Sequence, residues 1–436
     1  MTADTGIEAD GILIEAESFE DFGGWILDTQ FIYSMGSAYL NAHGLGKPVA
    51  PAKTTVTLPA TGHWHVWVRA KNWVPGDWEA PGQFRLSVNG QELEQTFGAG
   101  SGEWEWESGG AVEVGSGPVE LSLIDLTGFN GRCDAIFFTQ DENAVPDNSS
   151  EPMNEWRRRC GQVEDRPDSD VDLVVAGGGL AGCSAAVAAA RAGLKVALLH
   201  DRSVLGGNGS SEVLVDPCGN FPPGRYPDLG QIVQEIAPEM QGDQATPEPF
   251  EAVEAARRKV IDAEPNLELL LDNYVYSVET ENSRITAVWA MSSHGKQRQR
   301  LAARFFVDAT GHGTVGLKAG ADYRMEPGDR MGMTNYWQWR WTDHEVEFPE
   351  TPWALQLTEK AFPYPGDGPW LNKDGEVAKI QLDHPLFFSP AKKGYTGQWY
   401  WESGFDKHPL NDLEAIRDHN MRAAFGAFNA MKNHGA

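Results

Sequence analysis

The chain has 436 residues, 41% of them hydrophobic and 22% charged, with a formal net charge of −28. That describes a globular protein too long for one ordinary core, so at least two domains are expected. The acidic surface repels phosphate backbones and anionic lipid, which excludes nucleic acid as an expected partner and disfavours membranes. No apolar run approaches the roughly 20 residues of a spanning helix. Residues 1–10 lack the basic and apolar regions of a secretory signal, so the cytoplasm is the expected location. The four cysteines, Cys133, Cys160, Cys183 and Cys218, contain no CxxC pair. An iron–sulfur site, a local zinc site and a disulfide framework are therefore not expected.

Up to about residue 145 the sequence reads as short strands between turns. Runs at 11–17, 54–58, 63–70, 84–89, 112–114, 119–126 and 135–139 carry the pattern. In the third run Trp64, Val66 and Val68 share one face, opposite His63, His65, Trp67 and Arg69, as a half-buried strand requires. Asn89-Gly90 accepts the positive φ of a tight hairpin between 84–88 and 91–97. With no long helical pattern intervening, a β-sandwich is expected over 1–145. Residues 146–169 are polar, include Arg157-Arg158-Arg159, and read as a linker with one short helix.

The grammar changes at Val171. Residues 171–176 form a buried-strand run that leads into Gly177-Gly178-Gly179-Leu180-Ala181-Gly182, a small-residue helix and a second strand at 195–200. Each glycine has a task. Gly177 allows the tight turn, Gly179 lets backbone approach a pyrophosphate, and Gly182 lets the helix pack close to the sheet. The amides of Leu180 and Ala181 open that helix and point at the phosphates. His200 stands where the ribose-binding acid usually ends the second strand, so the following Asp201 is the expected ribose ligand.

Beyond it come Arg202, Gly206, Gly207, Asn208, Ser210, Ser211 and Glu212, and much later Asp308-Ala309-Thr310-Gly311-His312-Gly313. Here the sequence resembles the FAD-dependent oxidoreductases related to glutathione reductase, fumarate reductase and the flavin part of the heterodisulfide reductase A-subunit. It lacks the last protein's iron–sulfur cysteines. The resemblance covers residues 171–436 and implies FAD as cofactor. It places Arg202, Gly206, Gly207, Asn208, Ser210 and Ser211 in a second cofactor loop. Ala309, Thr310, Gly311 and Gly313 would turn beside the ribityl–pyrophosphate, and Val275, in a small β insertion, would offer backbone groups to the adenine.

The implied architecture is multidomain: a β-sandwich, an α/β Rossmann-like FAD domain at 170–325 and a partial substrate or cap domain at 326–436. The expected activity is hydride transfer between flavin and a small-molecule, carbohydrate-derived substrate. The rival reading is a non-catalytic carbohydrate-binding protein with a vestigial flavin domain. Oligomeric state is not legible. Cys218, His312 and Asn335 are the candidates for a catalytic role, none with a decisive pattern. The aromatic residues Tyr336, Trp337, Trp339, Trp341, Trp399, Tyr400 and Trp401 suit stacking or core. No segment returning to the FAD domain is recognisable before Ala436, so the chain is expected to be part of a longer enzyme that holds flavin weakly.

The front domain resembles carbohydrate-binding β-sandwich modules. That implies a structural calcium on Glu15, Glu17 and Asp134, since carboxylates suit a hard cation. It also offers Trp73, Trp78, Trp104 and Trp106 as sugar-stacking faces, although core packing is the commoner fate of such residues.

Overall fold

The computed structural model describes residues 10–148, 155–161, 163–215, 228, 230–241, 247–325, 332–335, 337–340, 343–356, 394–397 and 402–434. Its first half consists of β1 (Ile12–Glu15), β2 (Ile26–Asp28), a short helix α1 (Ile32–Met35), β3 (Tyr39–Ala42), β4 (Ala52–Thr57), β5 (Gly62–Ala70), β6 (Phe84–Val88), β7 (Gln91–Glu92), β8 (Glu105–Val114), β9 (Pro118–Asp125) and β10 (Gly131–Thr139). These form two antiparallel sheets. One has the order β2-β3-β10-β5-β8 with β1 also on β10, and the other runs β4-β9-β6-β7.

The alternation in β5 decides how the sheets meet. Trp64, Val66 and Val68 are all buried, in one core with Phe84, Leu86, Leu121, Leu123, Ile136 and Phe138. The Asn89-Gly90 turn has φ of 51° and 81°. Both are positive, as a type I′ hairpin demands. The second arm pairs with β6 as a regular strand only over Gln91–Glu92, and rejoins it at Phe97, which exchanges backbone hydrogen bonds with Phe84.

After α2 (Glu155–Cys160) a third, seven-stranded sheet is built from β11 (Glu164–Asp165), β12 (Ser169–Ala176), β13 (Val196–Leu199), β14 (Leu267–Leu270), β15 (Asn273–Glu281), β16 (Arg284–Ser292) and β17 (Gln297–Asp308). Its order is β14-β13-β12-β17-β16-β15, with β11 on β17. Neighbours from β14 to β17 run parallel, whereas β15, β16 and the start of β17 form an antiparallel meander. Helix α3 (Leu180–Arg191) connects β12 to β13. Its buried Cys183, Ala186, Val187 and Ala190 pack on Leu173, Val175, Val196 and Leu198. Small side chains there let helix and sheet approach closely. Helices α4 (Gln231–Ile236) and α5 (Pro247–Asp262) pack on that face, and α6 (Thr314–Lys318) follows β17.

The last element, α7 (Leu413–Asn433), docks on the first half of the chain. Its Met421 and Phe425 enter an apolar cluster with Trp73, Val74, Phe129, Phe348 and Trp353. Among the described residues, no helix is long and apolar enough to cross a membrane.

Candidate functional site

The parallel register brings the glycine turns together. Ala176 stands opposite both Leu199 and Asp308, so the ends of β12, β13 and β17 are level. Their following turns therefore converge. The Ala309 amide donates to the Ala176 carbonyl at 2.7 Å. Gly177 follows with φ of 107°, and a Cβ on it would lie 2.2 Å from the Ala309 carbonyl oxygen. No other residue type fits that turn.

Gly179 is the N-cap of α3 and no side chain caps the helix. The Leu180, Ala181 and Gly182 amides thus have no intrahelical acceptor, and the helix dipole adds positive potential there. A Cβ at Gly179 would meet nothing within 4 Å, whereas one at Gly182 would lie 1.8 Å from the Gly177 carbonyl oxygen. One glycine keeps space open and the other allows contact, as their sequence spacing implied.

The second loop closes over the first. Gly206 donates its amide to the Gly178 carbonyl at 2.9 Å. Gly206 and Gly207 have φ of 130° and 59°. Beneath them lies Arg257 of α5, fully buried, which donates from Nε to the Ile236 carbonyl at 3.0 Å and from Nη1 to the Leu205 carbonyl. No local sequence pattern pointed to Arg257. In the third turn, Asp308 accepts from the Thr310 hydroxyl at 2.7 Å, the Thr310 amide at 3.1 Å and the Gly316 amide at 2.9 Å.

These turns enclose a cavity of about 620 Å³. Of the residues singled out from the sequence, Gly177, Gly179, Leu180, Ala181, Asp201, Arg202, Gly206, Gly207, Asn208, Ser210, Ala309, Thr310, Gly311 and His312 line it. His200 lines it too and explains the shifted acid. Its ring is buried beneath Gly178, whose amide donates to Nδ1 at 3.0 Å. That bond needs an unprotonated Nδ1, so the 3.2 Å approach of the same atom to Asp201 is not a second hydrogen bond. His200 thus braces the loop, and Asp201 beside it reaches the cavity, as does Glu212 further along the same loop.

Other expected residues are placed elsewhere. Gly182, in the first turn of α3, and Gly313, the N-cap of α6, are not among the lining residues. The Ser211 amide and hydroxyl both donate to the Glu254 carboxylate, the hydroxyl at 3.1 Å, so Ser211 ties its loop to α5. Val275 is buried in the core with Val174, Ala197 and Val288. Asn335 donates to the Arg417 carbonyl at 3.3 Å, against α7. Cys218, Tyr336, Trp341, Trp399, Tyr400 and Trp401 lie outside the described residues, and Trp337 and Trp339 fall on a strand paired with 394–397.

Three further walls carry no local sequence signal. Gln30, Phe31 and Tyr33 reach the cavity from the β2–β3 connection, Leu410, Asn411 and Leu413 from the start of α7, and Thr314 and Lys318 from α6. Burial pushes the Tyr33 hydroxyl well above its usual range, helped by the negative charges of Asp201 and Asp308. Burial lowers the ammonium of Lys318. The Thr314 hydroxyl and His200 Nε2 are buried without hydrogen-bond partners.

The expected calcium ligands are arranged otherwise. Arg157 of α2 donates from Nε to Glu15 at 3.0 Å and from Nη1 to Asp134 at 3.3 Å, and Arg69 donates to Asp134 at 2.8 Å. Two guanidinium groups supply the positive charge that a cation would bring, so calcium is not the partner of these carboxylates. Glu17 stands beside them with Oε2 unpartnered. Burial, reinforced by Glu15 and Asp134, raises its carboxyl well above the ordinary value. Among the described residues no group of three His, Cys, Asp or Glu side chains could hold a metal ion. The short helix expected within 146–169 is α2, and its Trp156 and Arg157 are both buried.

The four sandwich tryptophans are spoken for as well. Trp73 packs edge-on to Trp353 at 5.2 Å, and Trp104 sits 5.1 Å from Tyr39 with its Nε1 donating to Glu414. Trp78 lies under the Arg422 guanidinium, and Trp106 packs on Trp156 at 6.0 Å. The commoner fate, packing, is the one observed.

A parallel sheet whose strand ends carry three glycine turns around an uncapped helix N-terminus defines a nucleotide-cofactor protein. Residues 172–401 match the model of the family described as FAD dependent oxidoreductase. The match spans more than half of the 436 residues, and the chain belongs to that family. No curated protein sequence matches it.

Solved structures resemble parts of the chain. A family 35 carbohydrate binding module from Clostridium thermocellum is 19% identical over 31% of this chain and 100% of its own, with a TM-score of 0.25. A geranylgeranyl bacteriochlorophyll reductase-like protein from Thermoplasma acidophilum is 17% identical, over 42% of this chain and 49% of its own, with a TM-score of 0.28. L-proline dehydrogenase from P. horikoshii is 17% identical, over 52% and 30%, with a TM-score of 0.24. The chain thus spans half or less of either enzyme.

Proposed function

We propose that the chain is the FAD-binding part of an oxidoreductase in which a small-molecule substrate exchanges a hydride with the flavin. The observation that carries this reading is the convergence of three glycine turns and one uncapped helix on a single cavity. Bound FAD would supply two-electron redox chemistry, and the protein's share is position and electrostatics.

The residues present fit that cofactor. The Leu180, Ala181 and Gly182 amides are free to bind the pyrophosphate, and the bare Gly179 leaves room for it. Asp201 would hold the adenosine ribose. Gly206, Gly207, Asn208 and Ser210 would follow the chain towards the ribityl group, with Arg202 beside them. Ala309, Thr310 and Gly311 would flank the ribityl–pyrophosphate from the third turn. The unpartnered Thr314 hydroxyl is a donor in the same wall.

The parallel arrangement of β14, β13, β12 and β17, with α3 between β12 and β13, supports a Rossmann-like domain over 170–325. The sandwich over 1–145 precedes it, joined through 146–169, and 326–436 contributes to a substrate region. His312 is the titratable side chain within reach of a bound molecule that we favour for proton transfer. Desolvation lowers its pKa, which favours the neutral, base-competent imidazole.

The test is a visible absorption spectrum of the purified protein before and after FAD addition and gel filtration, then dithionite reduction. Flavin bands that appear on FAD addition, weaken on gel filtration and bleach on reduction are expected. Protein that stays colourless with excess FAD would sink the reading and favour a non-catalytic role.

A further inference from the structure

The N-terminal sandwich carries no cofactor motif, yet part of it stands in the cavity wall. The segment between β2 and β3 is held from two sides. On one side Ile32 and Ala38 share an apolar cluster with Tyr274 and Met291 of the meander. The Tyr33 and Tyr274 rings meet edge-on at 6.1 Å, and the Tyr274 hydroxyl donates to the Gly36 carbonyl.

On the other side Arg417 of α7 lies over the Phe31 ring at 4.7 Å. Its Nη1 donates to Asp28 at 3.2 Å and its Nη2 to the Tyr39 hydroxyl at 2.7 Å, which in turn donates to Asp28. A loop fixed this firmly has its conformation set before any ligand arrives. Tyr33 lines the cavity close enough to Asp201 for that charge to act on its hydroxyl, and the buried Phe31 lies behind it.

We propose that the sandwich is a structural part of the FAD site, its Gln30–Tyr33 segment closing the adenosine end with Tyr33 against the cofactor beside Asp201. This rests on the cavity's being the FAD site. An adenosine is an apolar disc joined to a polar ribose, and Tyr33 supplies aromatic surface, backed by the buried Phe31, while Asp201 accepts from hydroxyls. Aromatic side chains combine large contact area with few rotatable bonds, so a pre-fixed ring binds at low entropic cost. The sandwich tryptophans pack against α2, α7 and their neighbours. That is how a module of this shape becomes a fixed wall.

The test is hydrogen exchange of the intact chain with and without FAD, read on peptides covering residues 28–36 and 177–182. Both should exchange more slowly once FAD is bound. Slowing at 177–182 with 28–36 unchanged would overturn this inference and leave the cofactor assignment standing. No slowing at either, with no FAD uptake, would overturn the assignment and this inference with it. In parallel, Tyr33→Ala should weaken both FAD and ADP by about tenfold, the loss of one stacked aromatic. Equal affinities in a folded Tyr33→Ala protein would also defeat the idea.

Discussion

The guanidinium of Arg132, fully buried in β10, forms a two-pronged ion pair with Asp418 of α7, its Nη1 lying 3.1 Å from Oδ2. The same Nη1 donates to Glu414 at 2.9 Å, and Lys71 reaches Glu414 at 2.9 Å. The pairing holds the C-terminal helix on the sandwich. Leu413, one residue before Glu414, lines the cavity, so this anchor also sets one of its walls.

Arg132→Met should therefore be costly. Removing one partner of a buried ion pair leaves the other charged and desolvated, typically a loss of about 3–5 kcal/mol. Chemical denaturation should show that loss. Adding Asp418→Asn should recover part of it, because the two changes are coupled through a shared contact.

Gly179→Ala and Gly182→Ala should separate binding from folding. At Gly179 the new methyl meets open cavity, so the melting temperature should hold while FAD affinity falls by about tenfold or more. At Gly182 it would overlap the Gly177 carbonyl, an overpacking that costs about 1–3 kcal/mol. Paired thermal melts and FAD titrations would check both.

Glu17 makes stability depend on pH in a defined direction. Its folded-state pKa lies above the unfolded value, so the folded chain retains a proton that the unfolded chain releases. Its contribution is fully present below the unfolded pKa and is lost as pH rises towards the folded one. Glu17→Gln removes that penalty. The variant should melt higher than the parent at about pH 8 and close to it at about pH 4.

Trp73→Ala should act as a core deletion. Its ring lies among Phe129, Trp353 and Phe425, and its Nε1 donates to the Phe129 carbonyl at 2.9 Å. Truncating such a residue costs about 3–5 kcal/mol. Urea titration should reveal that loss. Retention on a polysaccharide affinity gel should be the same for variant and parent.

Local signals carried much of the fold. The period-two pattern of β5 and the Asn89-Gly90 turn involve residues a few positions apart, and the structure repeats them closely. The strand–glycine–helix run at 171–192 was equally plain, because a turn with positive φ at Gly177 leaves few sequence options. Where local cues pointed the wrong way, a distant partner decided the matter. Arg157 read as a linker charge because Glu15 lies 142 positions away. The carboxylates read as calcium ligands because nothing near them in sequence shows that two arginines point at them.

By itself, then, the sequence determined the strand pattern of the first half, the three glycine turns and the family. Each follows from steric demands that neighbouring residues express together. Only the tertiary structure decided that His200 props the loop while Asp201 faces the cavity, that Ser211 is taken by Glu254, and that residues 30–33 and 410–413 complete the wall. Those outcomes depend on contacts outside any local pattern, 22 positions apart for Gly178 and His200, 43 for Ser211 and Glu254, and 286 for Arg132 and Asp418. No local periodicity encodes such pairings, because they are chosen by the packing of whole faces.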